Sequence, residues 1–386
     1  TGFGYAVENV VLIDGASILL FTVGQPWDQS GLLKLTPQGV PDLMFGADGY
    51  ILAPTMHFRP LSAAIDAGGQ LLVTGKVFEE PFVCRFDVLT GNPITFSGSD
   101  ETCVSAVTGM VETTFETLIQ ADGKILLAGI GRPAQGLSRS LLAIRFNTNG
   151  SLDTSYGGEG IVSLALPSNS YFMSAKLASN GKLVSAYIDI AGFEKASLIT
   201  RISPDGSVDA GWNARPFSVS IGHVDWFLDI VLVDTPSAED DIIAAGSTGA
   251  DGIDIEHGLI ARIDGTTGAF DPKFGTSNGY TEFPAFVRFD RLAHHGNGGW
   301  LAMMGSTNPV TVLGVARNGM VDPTFGNAGV FVLEDPNNAV AAGYALRVDG
   351  DGVYIAGNYL ENGAPAAWYE VKLARDYIFA DDLELH

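Results

Sequence analysis

The sequence predicts an all-β fold, a seven-bladed β-propeller with four antiparallel strands per blade. Three observations predict it. An apolar strand, a glycine turn and a second apolar strand closing on a small residue recur seven times along the 386 residues. A longer turn signature follows most copies, and behind it comes a further apolar strand. No segment sustains a helical apolar period over about eleven or more positions.

The first motif reads VVLIDGASILLFTVG (10–24), AAIDAGGQLLVTG (63–75), TLIQADGKILLAG (117–129), AKLASNGKLVSA (175–186), VDTPSAEDDIIAAG (233–246), LAHHGNGGWLAMMG (292–305) and RVDGDGVYIAG (347–357). Its closing positions, Gly24, Gly75, Gly129, Ala186, Gly246, Gly305 and Gly357, are spaced by about 55 residues, somewhat above the ~40–50 of WD40 and kelch blades. Each blade continues with a third strand and a turn box: LLKLTPQGVPDLMFG (32–46), LLAIRFNTNGSLDTSYG (141–157), LITRISPDGSVDAGW (198–212), LIARIDGTTGAFDPKFG (259–275) and LGVARNGMVDPTFG (313–326). Blade 2 carries a weaker copy, VCRFDVLTGNPITF. In the box, Gly supplies the positive φ of a tight turn, Asp bonds nearby amides, and the aromatic is placed to wedge between neighbouring sheets. A fourth strand follows, as in GIVSLAL (160–166).

Four strands repeated seven times describe a propeller. A solenoid would need atypical capping repeats at its ends, and here the last repeat is cut short where a ring would close. One domain is expected over 1–386, with blades near 1–52, 53–104, 105–166, 167–219, 220–283, 284–333 and 334–386. Either terminus can supply the closing outer strand.

Composition narrows the function classes. Glycine makes up 48 of 386 residues, well above the average of about 7%, as a turn-rich fold requires. Lys and Arg number 21 against 44 Asp and Glu, a net charge of -23 that repels phosphate backbones and anionic lipid. Nucleic-acid partners are therefore not expected. Membrane insertion is not expected either, because no stretch approaches the ~18 apolar residues of a spanning helix. The chain starts at Thr1 without Met, which fits a processed, exported protein. Cys84 and Cys103 are too few for a disulfide scaffold and lack zinc spacing. In an oxidising compartment they are expected to pair across two nearby strands.

Copies such as IQADGKILLAG followed by LLAIRFNTNGSLDTSYGGEGIV resemble the delta-60 repeat, a bacterial β-propeller repeat of 55–60 residues. The resemblance covers nearly the whole chain, is strongest in blade 3 and degrades in blades 2 and 5. The terminal YIFADDLE is similar to a short Ile-Phe-x-Asp-Gly-Phe-Glu-like tail of exported Gram-negative proteins, with Asp382 and Leu383 in place of Gly and Phe. The resemblance implies a propeller fold, export and a secreted, periplasmic or cell-surface location. It brings no catalytic residues.

A basic residue recurs in the third strand: Lys34, Arg85, Arg145, Arg201, Arg262 and Lys372. A cationic ring for an anionic ligand is one reading. Pairing of each cation with its own box carboxylate (Asp42, Asp153, Asp209, Asp271) is preferred, because a repeat preserves what holds each blade together and a part-buried cation needs a carboxylate. Gly314 holds the basic position in blade 6, so the clamp should be missing there.

Enzyme signatures are scarce. Gly129-Ile-Gly131-Arg-Pro-Ala134 matches a dinucleotide loop only loosely, since Pro133 and the residues after it open no helix. There is no Walker loop, no Gly-x-Ser-x-Gly and no His-Glu-x-x-His. The sequon at Asn149 reads as a turn, and His294-His295 as a hairpin tip whose side chains point to opposite faces. No cofactor is expected, apart from calcium as a candidate at the oxygen-rich Asp251, Asp254 and Glu256 and, less so, at Asp349 and Asp351.

Short uniform turns should lie on one face of the ring and variable loops on the other, where recognition usually resides. Trp27, His57, Arg59, Tyr171, His223, Asp225, Trp226, Asp254 and His257 are the candidate binding residues. Aromatics beside carboxylates suit a carbohydrate, peptide or protein partner. The leading expectation is a non-catalytic binding or adhesion module. A glycan-directed hydrolase or lyase, with Asp225 or Asp254 and His223 or His257 at the ring mouth, is the alternative, and a surface-layer or filament subunit is another.

Overall fold

The computed structural model describes residues 5–13, 16–23, 30–52, 58–77, 80–97, 100–133, 135, 138–167, 169–190, 196–218, 223–250, 257–296, 298–305, 309–333, 340–349, 352–361 and 364–373. They form seven antiparallel sheets in which each strand pairs only with its neighbours in sequence. Six sheets have four strands, and the seventh has three among the described residues. The fold is a seven-bladed β-propeller. Which terminus supplies the closing strand lies outside the described residues.

Strand side chains alternate between the two faces of a sheet, and in this fold each face meets a different neighbour. Leu71 and Val73 pack with Ile18, Leu20 and Phe45 of blade 1, whereas Leu72 and Val83 pack with Leu127 and Phe146 of blade 3. The core is thus divided into seven seams. The ring closes where Val10, Leu19 and Leu33 of blade 1 meet Ala345 and Ala356 of blade 7. Beside this cluster the Ser17 hydroxyl donates to Glu370 Oε2 at 2.6 Å. Burial pushes the Glu370 carboxyl above its usual range, with the Ser17 bond and the Lys372 charge opposing.

The closing glycines of blades 2, 5 and 7 now have a local cause. The innermost strands of blades 1, 2, 4, 5 and 7 each carry an irregularity in register, for example between Phe227 and Asp229. The kink drives a carbonyl against the facing strand. A Cβ on Gly246 would stand 1.6 Å from the Trp226 carbonyl oxygen, and one on Gly357 1.9 Å from that of Ala342.

The turn boxes hold the seams. Their aromatics, Phe45, Phe96, Tyr156, Trp212, Phe274 and Phe325, are buried in the clusters between successive blades. The third-strand cation lies over its own box aromatic: Arg85 on Phe96 (4.4 Å), Arg145 on Tyr156 (4.3 Å) and Arg201 on Trp212 (4.4 Å). The expected ion pairs are present as Lys34–Asp42 (3.0 Å), Arg145–Asp153 (2.8 Å), Arg201–Asp209 (2.7 Å) and Arg262–Asp271 (3.4 Å). In blade 6 a Cβ on Gly314 would lie 2.5 Å from that of Phe325, so the aromatic fills the space a basic side chain would need.

The same guanidinium groups also reach the next blade. Arg85 donates to Thr148 O (3.0 Å), Arg145 to Pro204 O and Arg201 to Gly265 O (2.6 Å). Box glycines add a second link, from Gly46 N to Thr90 O, Gly157 N to Asp205 O and Gly275 N to Asn318 O. Cys84 and Cys103 face each other across the outer strands of blade 2, Cα to Cα 4.0 Å, and are joined in a disulfide.

Candidate functional site

The residues expected to form a binding surface are dispersed. Trp27, His57, Asp251, Asp254, Glu256 and Asp351 lie outside the described residues. Arg59 is exposed at the start of the innermost strand of blade 2 (Phe58–Ile65). Tyr171 is exposed in blade 4, with the Arg139 guanidinium 4.3 Å from its ring centre. His223 opens the innermost strand of blade 5 (His223–Val233), and Trp226 is half-buried in it.

Asp225 departs from the expectation of a solvated surface acid. It is fully buried and accepts a hydrogen bond from the Ser218 hydroxyl at 2.7 Å, while its backbone oxygen accepts from Ser197 of blade 4 at 2.9 Å. Those bonds fasten the seam between blades 4 and 5. His257 is part-exposed, with Nδ1 3.4 Å from Glu282 Oε2. Thr248 pairs with both Asp225 and His257, which puts these two at one level of the blade, on strands either side of it.

The structure assembles a different cluster on the axis. An innermost strand is a sheet edge, with amides and carbonyls that no fifth strand pairs. One repeat position answers this need. Asn9, Ser62, Glu116, Ser174, Asp229 and Arg291 all stand at it, opposite Leu20, Thr74, Ala128, Ala186, Ala245 and Met303. Ser62 Oγ accepts from Thr117 N (3.0 Å), Glu116 Oε2 from Ala175 N (2.9 Å) and Asp229 Oδ2 from Leu292 N (2.9 Å), each bond crossing to the next blade. Arg291 Nε donates to Tyr344 O at 2.8 Å in the same sense.

Two cavities meet at this belt. One of 260 Å³ includes Phe115, Phe172 and Tyr344, which precede the belt in their strands and so lie toward the loop face. The other, of 370 Å³, includes Leu118, Ala293 and Val348, which follow it toward the turn face. Asn9, Glu116, Lys176, Asp229 and Arg347 line both, forming a charged waist in an axial channel. Lys176 Nζ sits 3.4 Å from Glu116 and 3.7 Å from Asp229. Arg347 donates to Asn9 Oδ1 (2.7 Å) and to Leu346 O (2.9 Å). Burial pulls the Arg347 guanidinium below its ordinary pKa, Asp229 and Glu116 oppose this, and Arg291 adds to it.

A separate groove of 770 Å³ opens on the turn face between blades 5 and 6. It opens because Arg262 turns back to Asp241 of its own blade (2.7 Å) where Arg145 and Arg201 reach across. Its acids are largely committed. Asp241 holds Arg262 and Gly265 N, and Asp264 holds the amides of Thr266 and Thr267. Among the described residues no cluster of three or more His, Cys, Asp or Glu is placed to hold a metal.

The axial belt was legible as a pattern that sequence reasoning passed over. Six of the seven repeats place a polar or charged residue at one fixed position of the innermost strand. Arg347, two residues beyond that position in blade 7, has no such periodic signal.

Fold and channel together define the class, a seven-bladed propeller with a polar axial channel. The profile of a family described as "Domain of unknown function (DUF5122) beta-propeller" matches residues 120–156, the second-strand and turn-box region of blade 3. No curated protein matches the sequence. Among solved structures, the polysaccharide lyase Uly1 superposes with a TM-score of 0.55 at 9% identity, covering 95% of this chain and 89% of that one. A puromycin-hydrolyzing peptidase of Mycobacterium tuberculosis gives 0.55 at 13% identity, covering 99% of this chain and 53% of that one. The β-propeller domain of the Trilobed protease from Pyrococcus furiosus gives 0.51 at 8% identity, covering 99% and 100%. At such identities the likeness is one of fold.

Proposed function

We propose that the protein is a non-catalytic binding scaffold that works in an oxidising, extracytoplasmic setting. Its carbohydrate, peptide or protein ligand meets the loop face around the mouth of the axial channel. One observation carries the reading: Lys176, Arg291 and Arg347 line the loop-side cavity and offer cationic donors to a ligand. A hydrolase or lyase acid needs a carboxyl free to hold and release a proton. Glu116 and Asp229 each cap a strand-edge amide and share the Lys176 ammonium, so both are engaged in holding the ring. The Cys84–Cys103 bond supports the oxidising setting.

Glycan- and peptide-array binding, run beside a turnover assay on the same ligands, tests the proposal. Binding without turnover is expected. Turnover of a glycan, lost on Glu116→Gln or Asp229→Asn, would replace the scaffold reading with an enzymatic one.

A further inference from the structure

We infer that the waist of the axial channel is a binding site for an anionic group, a carboxylate or a phosphate, taken by the guanidinium groups of Arg291 and Arg347. The inference deepens the binding reading and rests on it for the approach from the loop face.

The first support is charge balance. The described charged side chains lining the loop-side cavity are Glu116 and Asp229 against Lys176, Arg291 and Arg347, three cations to two carboxylates, in a chain whose net charge is -23. An excess of positive charge is therefore local to this channel. The second support is how the carboxylates are used. Both lie against Lys176, and each also accepts a backbone amide. Neither is an ion-pair partner of Arg291 or Arg347, whose partners among the described residues are the Tyr344, Asp290 and Leu346 carbonyl oxygens and the Asn9 amide oxygen.

The third support is donor capacity. A guanidinium presents five N–H donors in a planar fork that matches the oxygens of a carboxylate or phosphate. Arg347 commits Nη1 once and Nη2 once, and Arg291 commits Nε and Nη1. Several donors remain on each, beside a cavity of 260 Å³ that both line. Arg291 and Arg347 are half-buried, and because a partly desolvated cation is favoured by added counter-charge, an anion entering the waist would be held there. Desolvation also lowers the Arg347 pKa, with Asp229 and Glu116 opposing, so a further anion nearby would favour its charged form.

The test is an equilibrium titration of the whole chain with glucuronate, glucose 6-phosphate and uncharged glucose. At least one anion is expected to bind and glucose is not. The tighter of the two anions tells whether the site takes a carboxylate or a phosphate. Arg347→Met should weaken that anion roughly tenfold or more, the scale of one charge-assisted hydrogen bond. Arg347→Lys should fall between, since it keeps the charge and loses the fork. Arg291→Met provides an independent variant, and circular dichroism reports whether each is folded. Equal affinity for glucose and glucuronate, or anion affinity unchanged in both Met variants, would overturn the inference. A macromolecular ligand indifferent to both substitutions would sink the anion site and leave the scaffold reading. Anion binding lost on Arg347→Met, with no macromolecular ligand found, would do the opposite.

Discussion

Arg145 and Arg347 are the same chemical group in two settings. Arg145, on the turn side of blade 3, has its charge answered by Asp153, its face by the Tyr156 ring and a further donor by the Pro204 carbonyl of the next blade. Arg347, at the axial waist, has one side-chain amide and one backbone carbonyl, and its nearest influential carboxylates are shared with Lys176. A fully answered cation is a structural part. An under-answered one in an open channel is available to a ligand, and the difference sorts the basic residues of this chain better than their number does.

The comparison can be broken most forcefully on the turn side. Arg145→Met takes the donor from the Pro204 carbonyl and leaves Asp153 with Lys124 as its remaining ion-pair partner, and chemical denaturation should show a loss of about 3 kcal/mol, the low end for breaking a buried pair. Replacing both Cys84 and Cys103 with Ser removes the closure of a 19-residue separation and should cost about 2–3 kcal/mol by the same measurement. Gly206→Ala tests the interlock of the boxes. Gly206 has φ +88, and a Cβ there would lie 2.3 Å from Gly157 N, so a loss of about 1–3 kcal/mol is expected.

The pH dependence has opposite signs at two sites, and its smaller effect is at Glu370. Burial acts against the Asp153 carboxylate, but bonds from Ser155 and Lys124 and the Arg145 charge outweigh it and hold its pKa well below the ordinary 3.8. Its contribution is therefore complete above that ordinary value and is lost as pH falls through the depressed one. Glu370 is raised above its ordinary 4.5 by burial, so its contribution declines as pH rises from there through the raised value. Glu370→Gln keeps an acceptor for Ser17, and should raise stability at neutral pH by less than about 1 kcal/mol. A stability curve for this variant as steep above the glutamate range as that of the parent would contradict the assignment.

Much of the fold was legible in the sequence because each blade repeats the same physical problem. The Gly of the turn box needs a positive φ, as at Gly46, Gly157 and Gly275, and the box carboxylate pairs with the third-strand cation in blades 1, 3, 4 and 5, so both signals recur along the chain. The candidate site was far less legible. Tyr171 is exposed, whereas Asp225 is buried and bridges two blades, and nothing in its neighbourhood along the chain marks that. The axial belt is made by residues about one repeat apart, and Arg347 meets Asn9 only because the ring closes. Local composition carries no trace of such a meeting. The net charge of -23 points away from a cationic waist, since a sum over the chain conceals a local excess of one charge.

Turn-side cations hold the ring and axial cations hold a ligand, and glucuronate or glucose 6-phosphate affinity measured on Arg145→Met and Arg347→Met side by side separates the two roles. Arg347→Met is expected to lose anion binding by roughly tenfold or more at nearly unchanged stability. Arg145→Met is expected to lose stability and, where still folded, to bind as the parent does. Equal loss of binding in the two variants, or undiminished binding in Arg347→Met, would contradict this division of roles.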